Sequence, residues 1–270
     1  MRDGTRIDVS AFTGDFDESF LAANGLSELQ RWLADHGAGA PRLDPAARLG
    51  PPLRRPSKIV CIGLNFRDHA AESGMPLPTE PVIFFKSTTA LAGACDNVVI
   101  PRGGTKLDWE VELAVVIGRR TSYIASEQAM DHIAGYALHN DYSERSFQIE
   151  RGGQWVKGKS ADTFAPLGPF LATTDEISDP GRLAMWLTVN RTRVQDSNTS
   201  QMICDVPTLV SYVSQFMTLL PGDIISTGTP AGVGLGMKPE PRYLKAGDIV
   251  ELGIEGLGQQ RQQIVAYQGG

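Results

Sequence analysis

Residues 107–118, LDWEVELAVVIG, read as a buried β-strand interrupted by two glutamates. Successive side chains on a strand alternate faces, so Glu110 and Glu112 leave on one side while Trp109, Val111 and Leu113 leave on the other. About 7 Å of rise separates residues two apart, so both carboxylates can reach one shared point. Two like charges so placed repel unless something compensates them. They either face solvent on a half-exposed antiparallel sheet or line a pocket; Ala114 and Val116 continue the same face and are apolar, which favours an acidic pocket at one end of a buried strand. Oxygen ligands with no His-rich or Cys-rich cluster nearby suit a hard divalent cation such as Mg²⁺, Mn²⁺ or Ca²⁺. A third carboxylate is available in GYALHNDYSER, where Ala137, His139 and Asp141 share a strand face.

Outward from this strand, further strands are expected at 59–62, 81–85, 135–140, 183–190, 223–226 and 248–254, so strands outnumber helices. LPGDII and KAGDIV each read as a Gly-Asp turn feeding a strand. FRDHAAESGMP reads as a helix stopped by Gly74 and Pro76, with Asn65 as its cap and Asp68 at the third position. In VPTLVSYVSQFMTLLPG, Leu209, Val213, Phe216 and Leu220 recur at helical spacing until Pro221-Gly222 ends the run. Near the N-terminus GLSELQRWLADHG has Ser27 as N-cap, Gln30 three residues on, Leu29, Trp32 and Leu33 on one face, and Gly37 as stop. The proline-rich run that follows, with Pro45, Pro51, Pro52 and Pro56, can be neither a continuous helix nor a central strand. Residues 1–56 are therefore read as a small N-terminal unit and linker, and 57–270 as the main domain.

At 270 residues, 41% hydrophobic and 21% charged, the chain can bury a full core and is not disordered. No apolar run approaches the roughly 18 residues that would span a bilayer, so no membrane partner is expected. The opening MRDGTRIDVSAF lacks an apolar secretory region, and Cys61, Cys95 and Cys204 cannot all pair with one another. A reducing, cytoplasmic home is expected. A formal net charge of −6, with no basic cluster beyond Arg-Arg pairs, argues against nucleic acid as a partner.

Three other groups can carry chemistry. His69 and Glu72 in DHAAE stand three apart on a helical turn, close enough to share a hydrogen bond or a water, or to form a plain surface contact. Lys157 and Lys159 alternate with Val156 and Gly158 and point the same way if that segment is extended. STGTPAGVGLG, residues 226–236, offers backbone N–H groups and the Thr227 and Thr229 hydroxyls, so it is either a cradle for a carboxylate or oxyanion or a plain turn. It lacks the order of a nucleotide-binding loop.

The order of these elements along the chain resembles that of the fumarylacetoacetate hydrolase family. The likeness rests on GLNFRDHAAESG, PVIFFKSTTALAG, DWEVELAVVIG, NDYSERSFQ, WVKGKSADTFAPLGP and ISTGTPAGVG, and runs from about residue 59 to the C-terminus. It implies a strand-rich α+β fold, a mixed β-sandwich roll that forms a homodimer and binds Mg²⁺ or Mn²⁺. Glu110, Glu112 and Asp141 match the family's metal ligands, His69 and Glu72 the His-Glu dyad of its mobile lid helix, and Lys159 its active-site lysine. Arg145, Gln148 and Thr229 match positions that contact the substrate's carboxylate or oxo groups. Asn65 stands where larger members carry an additional aspartate ligand, which implies a site of three carboxylates with more water.

The activity implied is cleavage of a small 2,4-dioxo acid to release pyruvate or a related 2-oxo acid. DHAAESGMPLPTEPV and YLKAGDIVELGIEGLG are most similar to bacterial members of the 2,4-diketo-3-deoxy sugar-acid hydrolase and ureidoglycolate lyase type. The alternatives are a decarboxylase, lyase or hydratase acting on an oxo-dicarboxylate of the oxaloacetate or ureidoglycolate type, and a non-catalytic β-sandwich holding a structural Ca²⁺, which would leave His69 and Lys159 unexplained.

Overall fold

The structure is a computed structural model describing residues 5–74 and 76–269; residues 1–4 of the opening stretch and Met75 of the Gly-Met-Pro stop lie outside the described residues. Two helices come first, α1 (Glu18–Ala22), whose N-cap Asp17 accepts from the N–H of Phe20, and α2 (Gly25–His36). α2 starts earlier than its sequence implies. Asn24, in the left-handed region at φ 56°, turns the chain straight out of α1, so the expected cap Ser27 lies within the first turn. The proline-rich run forms no helix and no strand of its own.

In chain order the main body begins with β1 (Ile59–Gly63), α3 (Arg67–Ser73), β2 (Val82–Lys86), β3 (Leu91–Gly93) and β4 (Val98–Val99). β5 (Leu107–Asp108), β6 (Val111–Ile117), β7 (Ile133–Asn140), β8 (Ser143–Glu144), α4 (Arg145–Ile149) and α5 (Val156–Lys159) follow. The rest comprises β9 (Ala165–Leu167), β10 (Ala172–Thr173), β11 (Ala184–Val189), β12 (Thr192–Asn198), α6 (Val206–Ser214), β13 (Ile224–Ser226), β14 (Ile249–Ile254) and β15 (Gln259–Val265).

Among the described residues one sheet runs β2-β1-β13-β6-β7-β9-β3 with β10 beside β7, and a second runs β12-β11-β14-β15-β4. The pairing is mixed: β1 with β13, β3 with β9 and β15 with β4 are parallel, and the remaining neighbours antiparallel. β6 packs across onto β11 and β14, and a single buried cluster runs from Phe20, Leu21 and Leu53 through Val115 to Leu187 and Leu252. This is the strand-rich roll of curled, mixed sheets that the motif order implies.

Three expectations about elements change. Asn65 does not cap α3, whose N-cap is Phe66; its amide instead donates to the carbonyls of Cys204 and Thr227 and accepts from the Cys204 N–H. α6 ends at Ser214, capped at its start by Asp205, so Phe216 lies beyond it at 61% exposure and the Pro221-Gly222 pair ends nothing. There the chain leaves the helix because Leu219 pairs with Thr121 and is buried. β12 and β15 are strands too polar for a hydropathy reading: on β15 the inward side chains include Gln260 and Gln262, which donate to the carbonyls of Leu138, Gly168 and Ala94. The two Gly-Asp turns stand as read, with Gly222 at φ 86° and Gly247 at φ 97° in the left-handed region that glycine enters freely.

Trp109, wholly buried on the opposite face from Glu110, donates its indole N–H to the carbonyl of Gly232 at 3.1 Å. Removing it opens a large cavity and frees the loop after β13. Trp109→Ala should lower the unfolding free energy by about 3–5 kcal/mol, and Trp109→Phe, which forfeits mainly the hydrogen bond, by about 1–2 kcal/mol. Urea denaturation of both variants checks this; equal losses would mean that the indole N–H contributes as much as the ring.

Candidate active site

The antiparallel register of β6 on β7 sets Glu112 opposite His139 and Val111 opposite Asn140, while β13 lies on the other edge of β6 with Ser226 opposite Ala114. Glu110 is held just ahead of β6, its N–H on the Asn140 side chain and its carbonyl accepting from the N–H of Asp141 at 2.9 Å. One carboxylate oxygen from each of Glu110, Glu112 and Asp141 thereby lies within 4.8 Å of the others, all three side chains buried. Asp108 extends the same strand face and is also fully buried.

Each carboxylate has different company. Glu110 receives Arg145 Nη2 at 2.6 Å and Lys159 Nζ at 2.7 Å, and Asp141 receives Lys159 Nζ at 2.8 Å and the Lys86 ammonium. Burial raises Asp141, but Lys159 and Lys86 outweigh it and hold the group below the ordinary carboxylate range. Glu112 has no cationic partner among the described residues; it accepts from Ser226 Oγ and from the N–H of Gly228 at 3.0 Å. Burial first, then the charges of Asp141 and Glu110, push it well above the usual range. An all-oxygen set with one uncompensated carboxylate fits a hard divalent cation, which would supply the missing positive charge.

The basic groups come from short elements. α4, N-capped by Glu144, places Arg145 and Gln148 three residues apart on one face, and Gln148 Oε1 accepts from Arg145 Nη1 at 3.0 Å. Arg145 Nε also donates to Asp108 at 2.8 Å, so two of its five N–H donors remain for a ligand. Residues 156–159 are helical, not extended, so Lys157 and Lys159 diverge: Lys157 is exposed and Lys159 is 1% exposed. Gly158 lets α5 close on α4, since a Cβ there would lie 2.6 Å from the backbone of Gln148 and Glu144.

A cavity of about 370 Å³ opens onto this cluster, lined by His69, Glu72, Glu110, Glu112, Arg145, Gln148, Lys159 and Thr229, with Asp141 behind the wall. His69 Nδ1 is 3.4 Å from Glu72 Oε2 but poorly aligned, and has no hydrogen-bond partner. The Thr229 hydroxyl gives its hydrogen to the Val111 carbonyl and accepts from Gln195, so it offers a ligand only one lone pair. Of the two readings of residues 226–236, the structure shows a run of amides occupied by the protein's own carboxylates: Gly228 N–H serves Glu112, Gly232 N–H serves Glu72, and the N–H groups of Gly234 and Leu235 serve Asp108. Lys86 and Asp108 escaped the sequence reading. Asp108 was findable, since it continues the alternation of Glu110 and Glu112; nothing local marks Lys86.

Residues 58–265 match the family described as Fumarylacetoacetate (FAA) hydrolase C-terminal. A Burkholderia multivorans protein described as a putative hydrolase is 50% identical over 260 residues, 96% of this chain and 91% of the relative. Among solved structures, maleylpyruvate hydrolase from Sphingobium sp. SYK-6, in complex with manganese(II) and pyruvate, superposes with a TM-score of 0.82 at 31% identity, covering 98% of this chain and 94% of that one. The 2-hydroxyhepta-2,4-diene-1,7-dioate isomerase of Mycobacterium marinum gives 0.69 at 38% identity, covering 86% and 80%.

His139 provides a check on this electrostatic arrangement. Burial, opposed by Asp141 and aided by Lys86 and Lys159, drives its imidazole down to about 3, and its Nδ1 meets Ser226 Oγ at 2.7 Å. A folded value below the unfolded one, roughly 6.5, means that the stabilisation is complete above that pH and is lost as pH falls towards the folded value. Imidazole resonances of His139 followed by NMR should therefore stay neutral from about pH 8 to about pH 5; a midpoint within that window would contradict the arrangement.

Proposed function

The chain belongs to the fumarylacetoacetate hydrolase family, and on that premise we propose that it is a Mg²⁺- or Mn²⁺-dependent hydrolase cleaving the C3–C4 bond of a small 2,4-dioxo acid. The observation that carries the reading is the convergence on one cavity of a carboxylate triad, a histidine paired with a glutamate, and a buried lysine. The manganese and pyruvate named in the maleylpyruvate hydrolase structure support it. Residues 57–270 form the catalytic part, as the family match from residue 58 supports; following the resemblance, the enzyme works as a cytoplasmic homodimer, in keeping with its three unpaired cysteines.

Held by Glu110, Glu112 and Asp141, the divalent ion would act as a Lewis acid towards the substrate's carboxylate and 2-oxo oxygens. Arg145 and Gln148 hold the carboxylate with the N–H donors that remain to them. Glu72, fixed by the Gly232 N–H and 3.4 Å from His69 Nδ1, would orient the imidazole once the two align around bound substrate, leaving Nε2 to take a proton from water. The water oxygen bonds to C4, the C3–C4 bond breaks, and its electron pair passes to C3. Lys159 stabilises the resulting pyruvate enolate, and the proton taken by His69 returns to C3. One water is consumed; a carboxylic acid and pyruvate, or a related 2-oxo acid, leave.

A decarboxylase or lyase acting on an oxo-dicarboxylate would use the same lysine and ion without a nucleophilic water, and the isomerase named among the relatives suits such enolate chemistry. His69 separates the readings. His69→Ala should keep Mn²⁺ and oxalate affinity while hydrolysis of dioxo acids falls by roughly 10²- to 10⁴-fold, with Glu72→Gln milder and oxaloacetate decarboxylation less affected. Near wild-type hydrolysis in His69→Ala would reduce the dyad to a structural contact. By contrast, Glu110→Ala and Asp141→Ala should each abolish Mn²⁺ binding in calorimetry; retained affinity in both would remove the triad as the metal site.

A further inference from the structure

The cavity has two chemically distinct halves. The inner half holds the carboxylates, Arg145, Gln148 and Lys159; leading outward from the lysine the walls turn apolar. Lys159 Nζ lies 5.0 Å from the centre of the Phe84 ring, and that ring meets Trp155 edge to face at 5.3 Å. Ile62, Leu64, Ile149 and Leu235 add further apolar lining to the cavity, the last two left 52% and 38% exposed. Lys238 is exposed at the mouth, and His69 and Glu72 line the same cavity on the side of Gly236.

Two backbone features show that the wall is built. A Cβ at Gly63 would stand 2.7 Å from Trp155 Cζ3, so glycine on β1 is what seats the indole against the sheet. Beside it Leu64, a bulky residue, sits at φ 56°, a conformation costing about 1 kcal/mol or more. Strain of this kind persists where the surrounding structure imposes it, and here it falls on a cavity-lining apolar side chain.

Resting on the hydrolase reading above, we infer that the outer half receives an apolar acyl group, so that the preferred substrate is a 2,4-dioxo acid bearing a hydrocarbon or aryl substituent on C4, not a polyhydroxylated sugar acid. Hydroxyls of a sugar chain would lose water against the ring faces of Phe84 and Trp155, whereas an alkyl or aryl chain gains by leaving water. The reaction is R–CO–CH₂–CO–COO⁻ plus water giving R–COO⁻, pyruvate and a proton. Trp155 and Gly63 are then specificity-determining residues that act on R.

The test uses the Mn²⁺-loaded enzyme with benzoylpyruvate, acetylpyruvate and a 2,4-dioxo-3-deoxy sugar acid. Benzoylpyruvate should exceed the sugar acid in kcat/KM by roughly tenfold or more. Trp155→Ala should lower the benzoyl-to-acetyl ratio of kcat/KM by about tenfold, chiefly through KM, with the inhibition constant of oxalate, which occupies only the inner half, unchanged. Gly63→Ala should shift the ratio the same way. Equal or better use of the sugar acid, or an unchanged ratio in Trp155→Ala, overturns the inference. 2-Oxo-4-phenylbutanoate, which lacks the 4-oxo group and cannot be cleaved, reads the wall without turnover: it should bind more tightly than 2-oxo-3-deoxygluconate, with the difference lost in Trp155→Ala. If no dioxo acid is cleaved yet that difference holds, the hydrolase reading fails and the apolar wall stands; if the two bind alike, the wall itself is refuted.

Discussion

Four carboxylates, Asp108, Glu110, Glu112 and Asp141, are buried on one strand face and the strand end beside it, and among the described residues three cations, Arg145, Lys86 and Lys159, answer them. Taking such charges out of water costs several kcal/mol each unless partners meet them with good geometry. Those partners come from separate elements: β2 brings Lys86, α4 brings Arg145, α5 brings Lys159, and β13 with its following loop brings Ser226 and a row of amides. No local segment can satisfy the acids alone. The acidic face and the roll around it therefore form together, and the charge left over at Glu112 is what suits the cluster to a cation.

The loop after β13 is the second half of the same arrangement. Its N–H groups reach Glu112 on β6, Glu72 on α3 and Asp108 ahead of β6, so one irregular segment ties together the strand with the acids and the helix with His69. Amide-to-carboxylate bonds of this kind are stronger than those between neutral groups. Gly236 permits the contact, because a Cβ there would lie 2.7 Å from the Glu72 carboxylate. The loop thus positions catalytic candidates more than it offers its own groups to a ligand.

Alternation made Glu110, Glu112 and Asp141 legible before any fold was in hand, because period-two placement is a property of the strand itself. The motif order did the same for the architecture. The extended reading of Lys157 and Lys159 fails locally: Val156–Lys159 makes a single helical turn whose direction is set by the α4 contact at Gly158, which no pattern in four residues encodes. Lys86 was invisible because a lysine after an apolar run looks like a solvated strand end until Asp141, 55 residues away, is brought against it. β15 was missed because buried glutamines satisfied by distant carbonyls look, in sequence, like exposed ones. For Lys86 and β15 the lost information is a long-range polar contact.

β2 forms the edge of the larger sheet, where a strand has a hydrogen-bonded neighbour on one side only. Its alternation puts Phe84 and Lys86 on one face, the ring against the cavity and the ammonium against Asp141. A slip by one residue would turn Phe85 inward, send the lysine into solvent, and leave Asp141 short of a counter-charge. A single buried amine thus proofreads the assembly of the border strand, rejecting misaligned pairings that backbone hydrogen bonding alone would tolerate.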